Sequence, residues 1–164
     1  MLDEGFVADC PYAPEAILFE EIVESAWREG VRVLAADAAE GYNPAHDVAR
    51  LLANAVAGRC ARRGFPVENL AFPLQAAPDE GAGDVVVRLA LDDEAFARKL
   101  AAARAYTAMS EEVDRALDSH GQEAFRVETL RRADPGFDLE AAHGPTPFYE
   151  LFGERRVAEG AYPE

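Results

Sequence analysis

Long apolar runs, paired cysteines and glycine-rich phosphate loops are all missing from this chain, and each absence closes off a class of function. No stretch approaches the roughly 20 apolar residues of a membrane span. Asp3 and Glu4 follow closely on Met1 with no basic segment, so the start does not read as a secretory signal. The 2 cysteines, Cys10 and Cys60, are too few for a disulfide framework, and neither has a CxxC partner. Cys60 reads as a small packing residue in a helix, Cys10 before Pro11 as a free thiol, and a reduced, cytoplasmic setting is expected. Neither GxGxxG nor GxxxxGK[ST] occurs, so there is no phosphate loop. There is no GxSxG elbow for a serine nucleophile, and Cys10 has no evident base partner. Basic residues are scarce: 16 against 31 acidic ones leave a net charge of −15. Such a surface repels phosphate backbones and anionic membranes, so neither nucleic acid nor membrane is expected as a partner.

What is present is enough for a folded domain. The 164 residues are 49% apolar, which is sufficient for a real core and argues against wholesale disorder. No internal repeat or low-complexity linker divides the chain, so one domain spanning 1–164 is expected.

The rest is organised around Val31 to Arg63. A short apolar run, Val31 to Ala36, reads as a strand covered on both faces. An acidic corner follows, Asp37-Ala38-Ala39-Glu40-Gly41-Tyr42. Asn43-Pro44 then opens a helix, with Asn as N-cap and Pro in the first turn. Val48, Leu51, Leu52, Ala55 and Val56 give that helix an apolar stripe, and Arg62-Arg63-Gly64 ends it. In open α/β sheets, ligands bind beyond the carboxyl ends of strands. Asp37, Glu40, Asn43, His46 and Asp47 all fall in this corner. The helix dipole disfavours a charged imidazolium at His46, which suits a metal ligand, although a surface histidine beside a cap is the plainer reading of spacing alone.

Around this centre the pattern predicts a helix over Pro14 to Glu29, a strand near Leu70 to Gln75 with Pro73 awkwardly inside it, and a loop at Ala76 to Gly83. It predicts a strand over Asp84 to Leu91 and one long helix from Asp93 to about Ser119, buried through Phe96, Leu100, Ala103, Thr107, Val113 and Leu117. His120 is read as a capping residue. Phe125, Val127 and Thr129 alternate as in a half-buried strand. Ala133 to Pro147 is loop-rich, and Phe148 to Glu159 is expected to form a last short helix or a docked tail. His143, before Gly144-Pro145, can reach a site from a loop or simply form a turn. Strand, helix, strand at this spacing suggests a parallel crossover.

Two regions resemble the PIG-L/LmbE-like family of zinc-dependent N-deacetylases. The first is Asp37 to Asp47, DAAEGYNPAHD, similar to that family's His-Pro-Asp-His motif. The second is Lys99 to Tyr106 through Glu123-Ala124-Phe125-Arg126 to Gly144-Pro145-Thr146-Pro147-Phe148-Tyr149-Glu150, similar to its C-terminal helix and tail. The resemblance implies an α/β, Rossmann-like three-layer domain with a mostly parallel sheet, incomplete on its N-terminal side. It implies zinc, with His46 on the last metal ligand and Asn43 where a histidine often stabilises an oxyanion. Asp37 is then a catalytic candidate, and Glu40, Tyr42 and His143 are substrate-binding candidates. Ala45 replaces the usual aspartate. The family's opening His-Pro-Asp-Asp-Glu motif, which supplies two ligands and the base, is absent. The chain is therefore expected to be a fragment or a member that has lost its metal, and not an active deacetylase alone. Its expected partners are an amide-bearing small molecule such as an N-acetylated sugar, a complementing N-terminal fragment, or further copies of itself. The competing expectation is a non-catalytic acidic α/β binding or oligomerisation domain.

Overall fold

The computed structural model describes residues 13–81, 83–136 and 146–161, with side chains from residue 18 onward. Helix α1 spans Ala13–Arg28, strand β1 Val33–Asp37 and helix α2 Pro44–Arg62. Strands β2 (Glu68–Phe72) and β3 (Val85–Ala90) follow, then helices α3 (Asp93–Ala105) and α4 (Ser110–His120), strand β4 (Val127–Arg132) and helix α5 (Phe148–Ala158).

The fold is α/β, but the sheet is mixed rather than mostly parallel. Its order is β1-β2-β4-β3. Only β1 and β2 pair in parallel, from Val33↔Glu68 to Asp37↔Phe72, across the crossover that α2 makes. Strand β4 inserts between β2 and β3 and is antiparallel to both. The expected strand near Leu70 to Gln75 begins earlier and ends at Phe72, just before Pro73, so the proline never has to donate a ladder bond.

The core lies on one side of the β1–β2 pair. Phe19, Val23 and Ala26 of α1 meet Val56 and Cys60 of α2, with Leu34, Leu52 and Phe65 packed around them. Val33, at the start of β1, points to the opposite side and is 47% exposed, whereas Leu70 of β2 on that same face is 1% exposed. All six residues of β3 are exposed, including Val85, Val86, Val87 and Leu89.

The predicted long helix is two helices. Tyr106 leaves the helical region (φ −84°, ψ 80°), and a 3-10 turn at Thr107–Met109 links α3 to α4. The β-branched and aromatic residues Tyr106 and Thr107 are poor helix formers, and Thr107 is exposed, so no packing offsets them. Of the stripe expected there only Phe96 is buried, capped by the Arg126 guanidinium 4.4 Å above its ring. Phe125 lies in a 3-10 turn, Gln122–Arg126, outside β4, while the expected alternation holds at Val127 and Thr129 and continues to Arg131.

Cys60 has no exposed surface, and burial pushes its thiol pKa up against the weaker pull of Arg63. In a Cys10→Ser variant, alkylation of Cys60 is expected to be at least about a hundredfold slower in the native chain than in urea. A native rate close to the denatured one would show that α1 does not hold against α2.

Candidate functional site

The corner at the carboxyl end of β1 brings most of the expected site residues together, but for different work. Asp37 is the last residue of β1, and His46 lies in the first turn of α2. Their side chains meet, with His46 Nδ1 2.7 Å from Asp37 Oδ2. The carboxylate can only accept, so Nδ1 carries the proton and Nε2 is the nitrogen not engaged by Asp37. The His46 side chain remains 43% exposed, open to a ligand. A carboxylate that orients a histidine in this way is the usual companion of a metal-ligating imidazole.

The other candidates are engaged in structure. Asn43 has extended backbone (φ −134°, ψ 121°) and caps α2 by accepting the Ala45 N–H at 3.0 Å. Glu40 accepts the backbone N–H groups of Leu74, Gln75 and Ala76 at 2.8–2.9 Å, which pins the loop after β2 to the corner. Tyr42 stacks on Phe148 with centroids 5.1 Å apart, and its hydroxyl accepts from Arg115 at 2.9 Å. Gly41 turns the corner at φ 65°, and its carbonyl accepts the Phe148 N–H at 2.7 Å. His143 lies outside the described residues. His120, at the end of α4, donates from Nε2 to the Gln75 carbonyl.

Asp47 is the residue that organises this corner. It is 1% exposed and accepts from Glu40 N (3.1 Å), Gly41 N (3.3 Å) and the Tyr149 hydroxyl (3.2 Å). Burial, and then the Asp47 charge, push the Tyr149 phenol above its ordinary range, so it remains a donor. The inward face of α2 is correspondingly more polar than the apolar stripe suggests: Asp47, Arg50, Ala53, Val56 and Cys60 are buried, while Val48 is 51% exposed. Aspartate, arginine and a small residue at i, i+3 and i+6 were the sequence signal for this face.

Arg50 begins a buried polar ladder. It donates to the Leu70 carbonyl at 2.8 Å and to Asn69 Oδ1; Asn69 donates to Asn54, and Asn54 to the Asp134 carbonyl. Burial lowers the Arg50 pKa, and the nearby Asp37 charge opposes that shift. Arg131, reaching from β4, donates to the carbonyls of Gly83 (3.0 Å) and Asp79 (2.8 Å). Nothing in the local pattern singled out Arg131.

A catalytic zinc normally takes three protein ligands and keeps one open position. Among the described residues, no three His, Cys, Asp or Glu side chains gather to hold a metal. His46 offers one nitrogen, Asp37 orients it, and Glu40 and Asp47 are saturated by backbone and tyrosine donors. The described residues therefore do not make a zinc centre by themselves.

Fold and site together define an α/β domain with a carboxylate-oriented histidine at the end of its parallel strand pair. No family model matches the chain, and neither does any curated protein or solved structure. No described helix is long and apolar enough to cross a membrane.

Proposed function

We propose that this chain carries part of a PIG-L/LmbE-like N-deacetylase-type hydrolase domain, acting on an amide-bearing small molecule such as an N-acetylated sugar, and that the described residues are not competent alone. The observation that supports this most is the Asp37–His46 pair at 2.7 Å. It gives His46 the tautomer and exposure of a metal ligand, at the position where the motif resemblance expects one. Any remaining ligands and the base come from residues outside those described, or from another chain. Asp37 acts as the orienting carboxylate, and Asn43 caps α2 through Oδ1, with Nδ2 the atom that would donate to an oxyanion.

The purified chain is expected to contain well below one zinc per molecule by elemental analysis and to show no amide hydrolysis. Imidazole ¹⁵N spectra are expected to place the His46 proton on Nδ1. A proton on Nε2 would remove His46 as a ligand, and with it this reading. Stoichiometric zinc with hydrolysis, both lost in His46→Ala, would instead show a complete site. The second reading, a non-catalytic acidic binding domain, is favoured by the structural engagement of Glu40, Asn43 and Asp47.

A further inference from the structure

Beside the corner lies a cleft of about 150 Å³, lined on one side by the 38–40 loop and on the other by Gly81, Gly83 and residues 131–134. Two buried guanidinium groups line it, Arg50 at 2% and Arg131 at 9% exposure. Both donate only to neutral oxygens, the carbonyls of Leu70, Gly83 and Asp79 and the amide of Asn69. Among the described residues neither makes an ion pair, and the Nε of each is buried without a hydrogen-bond partner. That is unusual in a chain of net charge −15, where acidic residues are available to most arginines. The charges of Asp37 and Asp79 act on Arg50 and Arg131 without forming ion pairs with them. A buried cation without an ion pair is costly, and a planar guanidinium fork is matched to oxyanions.

The acidic groups at the rim do not fill this role. The Glu40 carboxylate is held by three backbone N–H groups, and Asp134 Oδ1 accepts the Gly136 N–H at 2.8 Å. Arg132, exposed at the edge, adds a third positive charge and reaches Glu68 only at 3.4 Å. Gly81 keeps the wall open: a Cβ there would sit 3.5 Å from Arg131 Nε, and its φ of 117° disfavours any side chain.

We propose that this cleft is an oxyanion subsite, in which Arg50 and Arg131 together receive one phosphate or carboxylate group of a small ligand. The volume suits a single such group and not a whole nucleotide. This inference does not depend on a metal at His46, because the cleft is built from α2, β2 and β4 side chains.

The test is titration of the full chain with inorganic phosphate, and separately with acetate, against chloride at matched ionic strength. The arginine Nε–H resonances are followed, assigned through Arg50→Lys and Arg131→Lys. Either anion is expected to move both buried Nε–H signals in a saturable way, and which one does so identifies a phosphate or a carboxylate ligand. Arg131→Met is expected to weaken that binding at least about tenfold. Should the variants fail to fold, the wild-type spectra decide alone, through the number of arginine Nε–H signals that move with saturation. No saturable shift with either anion overturns the subsite, as does unchanged affinity in a folded Arg131→Met.

Discussion

Asp47→Ala is expected to lower the unfolding free energy by about 3–5 kcal/mol, the largest effect of any single substitution in the corner. Asp47 is 1% exposed, and its carboxylate closes the corner from within: Oδ1 takes the N–H groups of Glu40 and Gly41, and Oδ2 takes the Tyr149 hydroxyl. Alanine would remove the acceptor of all three bonds, of which that to Gly41 N is buried and those to Glu40 N and Tyr149 are partly buried. The cost is that of stranding buried donors, which exceeds the net worth of the bonds themselves. It would also remove one of the links between α5 and the corner, because Tyr149 is on α5 and Asp47 on α2, while the Tyr42–Phe148 stack and the Phe148 N–H to Gly41 carbonyl bond remain. Asp47→Asn keeps one acceptor oxygen, and its amide can donate to the tyrosine oxygen, so it should cost about half as much or less. Urea denaturation measures both. An alanine variant within about 1 kcal/mol of wild type would mean that Asp47 does not hold the corner together.

Glu40→Ala should follow, at about 2–3 kcal/mol. Its carboxylate accepts three consecutive backbone N–H groups, those of Leu74, Gln75 and Ala76. Two of these bonds are exposed, so water recovers part of the loss, and the estimate is lower than for Asp47. Amide exchange should report the change directly, with the 74–76 amides losing protection while those of β1 keep theirs. Because the Glu40 N–H is itself bonded to Asp47, the two substitutions share one network. The double variant should cost less than the sum of the single ones. Full additivity, or unchanged exchange at 74–76, would count against Glu40 as the clamp on this loop. Either loss should also loosen the 38–40 wall of the cleft, so phosphate affinity in Glu40→Ala is a sensitive secondary readout.

The roles of these residues show how far a local pattern carries. Asn43 as the cap of α2, Pro44 in its first turn and the acid-capped start of α3 at Asp92 depend on neighbours within a few residues, and all are present. The approach of Asp37 to His46 is nearly as local, because a strand end and a helix start joined by a short corner have few ways to lie. Glu40 and Tyr42 are substrate-binding candidates only because they fall in the stretch that carries the motif resemblance. Their partners, the amides of 74–76 and Phe148, lie far along the chain and leave no mark on the local pattern.

The sequence by itself determined the α/β order of elements, the corner between β1 and α2, and the placing of Asp37 and His46 in that corner. Caps, turns and hydrophobic period act over a few residues, so each is written where it acts. The tertiary structure alone decided that β4 would enter antiparallel between β2 and β3. It also decided that Asp47 and Glu40 would serve as clamps, and that Arg50 and Arg131 would face one cleft from α2 and β4. Strand pairing and the partners of buried charges are settled between distant segments, where the hydrogen bonds of one element are completed by another.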